Sequence, residues 1–516
     1  MEDATNTDVL IIGAGAAGLT LAIDLARRGV AFRLIEQLPA PFHGSRGKGI
    51  QPRSQEIFED LGVLDRLVAI GGEYPPQRDY RADKSYADSW VIEPVAPTPD
   101  EPFHIPLMVP QFLTERVLRD RLAELGHAVE FGCALLDFAQ DDAGVIARIA
   151  RPAGEEAVRA LFLVGADGGR SRVRHALEIG FPGKTLGVRA VVADVMLSGV
   201  GREAWHRWNG GVMALQLSLC PLAGTDLFQL QAPVPLDGAI DISAGGLTEM
   251  IGSRTGRDDI TVESASWVSV YSMNARLADR YRVGRVFLIG DAAHIHPPTG
   301  GQGLNTSVQD AYNLGWKIGA VLAGAPERLL ETYEEERRPV AAEMLGLATR
   351  LLDEARQGMI RRKREVHQLD IGYPGSALTL QARERSSGIS AGDRAPDAPM
   401  TGAAGQPVRL FSLMQGPHWT LIGYATDREA TPPPRRDLHI HRIGTDGGVR
   451  DSGDHFAATY DVRPGDWVLI RPDGYVGGIF GAGQRDSLTT YMALVGLTAR
   501  TTGPVALAAP PASTNN

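Results

Sequence analysis

Short apolar runs that close on a glycine and an acid punctuate the first two thirds of the chain. The first, Val9 to Ile12, runs into Gly13-Ala14-Gly15-Ala16-Ala17-Gly18; a helix-compatible segment follows to about Arg28, Gly29 stops it, and Val30 to Ile35 is apolar before Glu36. This predicts strand, glycine turn, helix, strand, acid. A second buried strand, Ala160 to Val164, empties into Gly165-Ala166-Asp167-Gly168-Gly169-Arg170-Ser171, and a third, Val286 to Ile289, ends in Gly290-Asp291-Ala292-Ala293-His294. After the third, a loop from His296 to Gly303 opens a long helix through Trp316 and Leu322. From Gly187 to about Met273 the period is two. Leu215, Leu217 and Leu219 alternate with Gln216, Ser218 and Cys220, and the segment Asp226 to Ala232 alternates in the same way. An antiparallel sheet with one apolar and one more polar face is expected, the polar face either roofing a substrate pocket or facing water.

Leu113, Val117, Leu118, Leu122 and Leu125 recur at helical spacing, so Gln111 to Leu125 is an amphipathic helix. Glu73 to Pro106 has no sustained period and is expected to be loop-rich with short strands, whereas Arg328 to Leu369 reads as nearly continuous helix. Glycine, proline and charge rise across Tyr373 to Met400. Beyond them Val408 to Phe411, Trp419 to Tyr424, His439 to His441 and Trp467 to Ile470 predict a smaller α/β domain, ending in the turn Arg471-Pro472-Asp473-Gly474. The last residues, 501–516, are small, polar and proline-containing, a disordered composition.

Composition narrows the class. With 516 residues, 43% hydrophobic and 22% charged, the chain has material for two or three domains with sizeable cores. A net charge of -10 gives no attraction to nucleic acid or to an anionic membrane, and the basic run Arg361 to Arg364 reads as a solvated helix face. The two cysteines, Cys133 and Cys220, make neither a disulfide framework nor a metal-ligand spacing, which suits a reducing cytosol. No basic n-region precedes the first apolar run and no apolar stretch is long enough for a membrane span, so a cytoplasmic protein without metal is expected.

The three junctions carry the chemistry. Gly13 permits a tight turn, Gly15 lets backbone approach a pyrophosphate, and Gly18 allows helix to pack closely on strand. The helix N-terminus presents free amides to phosphate, and Glu36, about twenty residues on, stands where a carboxylate accepts both ribose hydroxyls. The fingerprint alone leaves open which dinucleotide is bound. Asp291, at the carboxyl edge of a sheet, is placed to bind ribityl or ribose hydroxyls, or else to cap a helix. Prolines and glycines between His296 and Gly303 allow backbone to lie against a flat ring, with the positive end of the next helix directed at it. Arg46, flanked by glycines, is either a diphosphate or flavin contact or a surface arginine. Gln111, opening its helix, has an amide able to face a ligand.

Taken together, GAGAAG with Glu36, GADGGR, and LIGDAAHIHPPTGGQGLN resemble the group A flavoprotein aromatic hydroxylases, relatives of para-hydroxybenzoate hydroxylase and phenol hydroxylase, over roughly Val9 to Arg350. GDRAPDAP at Gly392 and the extra C-terminal domain resemble the phenol hydroxylase and polyketide hydroxylase branch, whose added domain is thioredoxin-like and here has no redox cysteines. The resemblance implies a Rossmann-type α/β FAD domain in two parts, 1–186 and 274–372, an inserted antiparallel substrate sheet at 187–273, a linker at 373–400 and the thioredoxin-like domain at 401–500. It implies that Gly13, Gly15 and Gly18 hold the FAD pyrophosphate and Glu36 the adenosine ribose, that Arg46 and Gln111 contact the flavin side, that Asp291 binds ribityl, and that Leu304 and Asn305 backbone meets the ring. Asp167 and Gly168 go with FAD and nicotinamide use. Ala16, Ala17, Gln37 and Leu135 complete the nucleotide side, and Pro298, Gly301 and Gly303 the ring side.

The reaction implied is NAD(P)H-driven hydroxylation of a phenolic or polyketide-type aromatic through a flavin C4a-hydroperoxide, with O2 as co-substrate. The cofactor supplies the difficult step, so no side-chain nucleophile is required. His206, His104, Arg189 and Gln216 are candidate substrate contacts. Alternatives on the same scaffold are a Baeyer-Villiger, epoxidising or antibiotic-inactivating oxygenase, and, in a different class, a non-catalytic flavin-binding association protein. A flavin halogenase is disfavoured because Trp205 and Trp208 lack the W-x-W-x-I-P spacing. A homodimer is compatible with the sequence.

Overall fold

The computed structural model describes residues 5–357, 362–382, 387–444 and 448–498, so the expected tail at 501–516 lies outside the described residues. Val9, Leu10 and Ile11 are wholly inaccessible because β1 (Thr5–Ile12) lies in the middle of a sheet that α1 (Ala16–Arg27) covers. On one side β1 pairs in parallel with β2 (Phe32–Glu36). The helices α2 (Pro52–Asp60) and α3 (Gln111–Glu124) follow, with a shorter helix, Leu64–Ile70, between them, and α3 packs on α1. On its other side β1 pairs in parallel with β3 (Gly154–Gly165), and β3 in turn with the short strand Val286–Leu288. The registers align the ends: Ile12 lies opposite Ile35 and Gly165, and Gly165 opposite Leu288. All three glycine-acid junctions therefore leave one edge of one sheet, side by side, where ligands bind open α/β sheets.

The second sheet is built on two long antiparallel strands, β4 (Gly183–Ser198) and β8 (Thr261–Leu277). Between them in sequence come β5 (Trp205–Trp208), β6 (Leu217–Pro221), β7 (Phe228–Val234) and the helix α4 (Ala244–Thr255). Val191, Ala193, Val195, Leu217, Leu219, Phe228 and Leu230 pack into one apolar core with α4, as the alternation predicts. The strand expected over Val212 to Cys220 is shorter than its pattern. Met213–Leu215 forms a 3-10 turn, because Gly211 turns the chain at φ +90° and the Arg254 guanidinium takes the Gln216 carbonyl at 2.8 Å. The expected excursion at 73–106 supplies two strands to this sheet: Gln77–Tyr80 pairs in parallel with β5, and Tyr86–Ser89 with Gln77–Tyr80.

α5 (Gly303–Leu322) and α6 (Glu331–Arg356) complete the first unit. Arg328 to Leu369 is thus not one helix. α6 ends at Arg356, and Arg362 donates its backbone N-H to the Val91 carbonyl at 2.8 Å as an extended segment. The basic run divides accordingly: Arg364 is exposed and pairs with Glu101 and Asp370, whereas Arg362 turns inward.

In the C-terminal unit β9 (Trp419–Tyr424) pairs in parallel with β10 (Leu438–Ile443) and antiparallel with β11 (Trp467–Ile470), which pairs with β12 (Val476–Phe480) before α7 (Arg485–Leu494). Leu380–Gln381, from the stretch expected to be a linker, pairs in parallel with β12, so the sheet has five strands in the order Leu380–Gln381, β12, β11, β9, β10; with its final helix this is a thioredoxin-like arrangement, in which only a 3-10 turn, Arg428–Ala430, joins β9 to β10. Its RPDG turn is buried against the first unit. Arg471 donates to Glu336 of α6 at 2.7 and 2.8 Å and to Asp473 at 2.9 and 2.6 Å, and Lys317 of α5 reaches Glu336 at 2.7 Å. Tyr373, Ala391, Ala395 and Ala398, from the stretch expected to be a linker, are buried. That stretch packs because Arg394 pairs with Glu56 at 2.8 Å and Tyr373 accepts from Arg337 at 2.8 Å.

Candidate active site

The glycine turn is shaped by contacts that forbid side chains at two positions and leave the third open. A Cβ on Gly13, at φ +103°, would sit 2.4 Å from the Ala166 carbonyl oxygen, and one on Gly18 would sit 2.0 Å from that of Gly13. On Gly15 a Cβ would meet only Glu115 Oε1, at 3.8 Å, so the outer side of the turn is clear of protein. Glu36, at the end of β2, closes the turn by accepting from the Ala14 amide at 3.0 Å and the Leu38 amide at 2.9 Å. Gln37 is exposed beside it, and Leu135 packs in the hydrophobic core. In the second junction Asp167 accepts from the amides of Arg172 and Val173 at 2.7 and 3.1 Å, while its other oxygen is buried without a partner and burial raises its carboxyl.

The third junction is held from behind. Asp310, in α5, accepts from the Gly290 amide at 3.1 Å, pairs with His294 Nε2 at 2.6 Å, and receives Arg337 Nε at 2.8 Å, all out of contact with solvent. Gly290 thereby adopts φ +60°, where its Cβ would crowd Ser307 and Ala17, and Asp291 projects forward. Asp291 makes no hydrogen bond among the described residues. Its carboxyl stays accessible in a surround of protein that raises it, with His294 and Arg46 opposing.

The loop from Pro298 to Gly303 is fixed by glutamines. Gln51 and Gln302 both donate to the Gly300 carbonyl, at 3.2 and 2.8 Å, and Gln368 donates to Gln302 at 2.6 Å. Asn305 spends its whole side chain on backbone: it donates to Gly49 and Gly301 and accepts from the Gln51 amide at 2.8 Å. No side chain caps α5. The amides of its first turn keep the free donors and partial positive charge of a helix N-terminus. Gly47 lies against Leu304, and Gln111 takes the Gly47 amide at 3.4 Å, so the arginine loop, α3 and α5 meet here.

Above this corner stands the polar face of the second sheet, and it does not face water. Gln229 reaches the Ser45 carbonyl and accepts from Lys48 Nζ at 2.7 Å, and Trp267 packs over Gly44. Cys220 and Asp194, each opposite Gln229 in register, share that face and are buried. Burial raises Asp194 to about 6 and Tyr271, on the same face, to about 12.

The four expected substrate contacts lie off this buried polar face. His206 pairs with Leu219 and belongs to the apolar face, stacked with Tyr80 and Trp208 and bonded to Tyr80 at 2.9 Å and Gly201 at 2.8 Å. Its neighbour Trp205 takes the inward direction, because side chains alternate along a strand. Arg189 clamps the Pro235 and Gly238 carbonyls at 3.1 and 2.9 Å. Gln216 belongs to the 3-10 corner, and His104 sits in a loop 3.4 Å from the Pro102 carbonyl. Sequence reasoning missed Glu115, Asp310, Lys48 and Trp205. Only Glu115 had a signal, an acid one helical turn after Gln111, which donates to it at 2.9 Å. Burial raises Glu115 to about 7.

A clear approach at Gly15, an unpartnered oxygen on Asp167, a free Asp291 and an uncapped α5 suit one extended ligand with phosphates at one end and a flat ring at the other. FAD fits that set. A separate cleft of about 270 Å³, walled by Arg53, Glu59, Asp60 and Gln415, lies between α2 and the C-terminal unit, and none of the glycine loops lines it.

Comparison with known proteins agrees. The family described as FAD binding domain matches residues 6–348. A flavin-dependent monooxygenase of Mycobacteroides abscessus is 40% identical over 94% of this chain and 99% of its own. The 6-methylpretetramide 4-monooxygenase of Streptomyces rimosus is 32% identical over 95% and 93%. The crystal structure of the flavin-dependent monooxygenase PieE with FAD and substrate superposes with a TM-score of 0.82 at 26% identity, covering 95% of this chain and 99% of that one. The chain belongs to the FAD-binding-domain family of flavin-dependent aromatic monooxygenases, with the para-hydroxybenzoate hydroxylase-like fold.

Proposed function

We propose that this FAD-dependent monooxygenase hydroxylates a polycyclic, polyketide-type aromatic, drawing electrons from NADPH or NADH. The observation that carries the reading is the meeting of Asp291, the uncapped start of α5 and the polar face of the second sheet at one corner. FAD, when bound, supplies acceptance of hydride from NAD(P)H and activation of O2. The chain's own work is to bind, orient and cover. The open side of Gly15 and the start of α1 receive the diphosphate, Glu36 the adenosine ribose, and Asp291 the ribityl hydroxyls. Gly303, Leu304 and Asn305 offer backbone amides to the negative edge of the ring. Trp205, Trp267 and Tyr271 shield the corner from bulk water.

A polycyclic substrate is favoured because the roofing strands present tryptophans and amides rather than a narrow polar slot, and because the Streptomyces rimosus relative is named for such a compound. Both cysteines are free, which suits a reducing cytoplasm, and no described helix is long and apolar enough to cross a membrane. The test is NADPH oxidation by purified FAD-loaded protein with a panel of hydroxylated naphthacenes and anthraquinones. At least one compound should accelerate oxidation and be recovered with an added hydroxyl. Acceleration by none, with NADPH unable to reduce the flavin, would contradict the reading.

A further inference from the structure

Two cations lie against the polar face of the second sheet without a carboxylate to pair with. Lys48 is 8% exposed and forms no ion pair among the described residues. Its ammonium donates to Gln229 Oε1 at 2.7 Å and stands 4.5 Å over the ring of Trp205. Arg362, carried in by the segment that bridges to Ile92, stands within charge-charge reach of Lys48, Tyr74 and Cys220. Its guanidinium has no hydrogen bond or ion pair among the described residues, and Lys48, Tyr74 and Cys220 are the charged and titratable groups it senses.

Burial lowers both cations. The acid facing them is Asp194, which makes no ion pair with either. The surround is otherwise aromatic or neutral: Trp205, Tyr74, Gln229 and Cys220. Arg362 and Tyr74 are both partly exposed. Two like charges with no paired carboxylate favour a ligand of opposite sign beside them.

We propose that Lys48 and Arg362 form an oxyanion subsite that binds the ionised enol or phenol oxygen of the substrate, with the Trp205 face beside the ring that carries it. This rests on the monooxygenase reading above and names the substrate feature: a planar polycycle with an acidic hydroxyl. The oxygen binds as the anion and its proton leaves to solvent. A charged oxygen raises the electron density of its ring, which an electrophilic oxygen transfer requires. Lys48 and Arg362 are therefore specificity-determining residues.

Alizarin, a dihydroxyanthraquinone whose colour reports ionisation, tests this on the FAD-loaded full chain. Native protein should bind it in the ionised form at a pH below its solution pKa and hold it at least about tenfold more tightly than unsubstituted anthraquinone, the worth of one charge-assisted hydrogen bond. Lys48→Met and Arg362→Met should each weaken alizarin about tenfold or more, return it to the protonated spectrum, and leave anthraquinone binding and flavin content unchanged. Lys48→Arg should restore the ionised spectrum. Alizarin bound protonated by the native protein, or bound no better than anthraquinone, would overturn the subsite. Anthraquinone-2-carboxylate is the third probe: its binding with alizarin left protonated would overturn the assignment to a hydroxyl. Flavin content and reduction by NADPH are read on the same samples. Their loss indicts the monooxygenase reading, whereas their persistence with protonated alizarin indicts the subsite alone.

Discussion

His294 Nε2 lies 2.6 Å from Asp310 Oδ2, and neither side chain touches solvent. The same carboxylate oxygen takes the Gly290 amide, and its partner oxygen takes Arg337. One residue of α5 thus sets the backbone that aims Asp291. Asp310→Ala would leave Arg337 buried and unpaired, costing about 3–5 kcal/mol. We expect a lower melting temperature and flavin lost on gel filtration, with FAD titration of the refolded protein showing weakened binding.

The glycines separate cofactor binding from folding. At Gly15 a methyl meets nothing closer than 3.8 Å, so Gly15→Ala should melt within about 0.5 kcal/mol of the native protein while losing FAD, since only the diphosphate would be displaced. Gly18→Ala sets a Cβ 2.0 Å from the Gly13 carbonyl oxygen and should destabilise the protein with or without FAD. Thermal unfolding of both variants with and without FAD checks the pair. Equal destabilisation of both apoproteins would contradict it.

Glu115 gives a pH dependence of defined sign. Burial raises it to about 7 in the folded protein, above its ordinary value near ~4.3 unfolded. Between those values the folded state binds the extra proton, so this group's contribution lowers stability as pH rises from about 4.3 to 7 and is flat above. Glu115→Gln should remove that slope and stabilise the apoprotein at pH ~8 by about 1–2 kcal/mol. Urea titrations at several pH values read it directly. Because Glu115 stands beside Gly15, the variant should also bind FAD more tightly at high pH.

The C-terminal unit is joined to the first by buried charges. Arg471→Met strands Asp473 and half of Glu336 in the interior, so a loss of about 3 kcal/mol or more is expected, with earlier proteolysis of the C-terminal unit than of the FAD-binding unit. Simultaneous cleavage of both units would argue against separate docking.

The parts of the fold that the chain announces are those with local rules. The alternation at Leu217, Leu219, Phe228 and Leu230 gives the apolar face of the second sheet directly, and GAGAAG with Glu36 gives the turn. What alternation cannot tell is where a strand begins. Gly211 and Arg254 convert Met213 to Leu215 into a 3-10 turn, which removes Gln216 from the strand. Nor does chemistry alone reveal direction. The imidazole of His206 suggests a ligand contact, but the inward-facing neighbour is Trp205. Lys48 and Arg362 are far apart in sequence, and nothing local announces that a backbone bridge from Ile92 brings Arg362 within charge-charge reach of Lys48. Asp310 was hidden for another reason, since one acid inside a long helix has no periodic signature.

Hydroxylation by this chain places one atom of molecular oxygen on an aromatic ring at the expense of NAD(P)H. Its most direct test is turnover under oxygen-18 gas with FAD-loaded protein, NADPH and the compound that best accelerates NADPH oxidation, followed by mass spectrometry of the product. The expected product is phenolic and carries one oxygen-18 atom, with the ring skeleton intact. A product labelled from water, a ring-expanded lactone, or hydrogen peroxide with unchanged compound would contradict it.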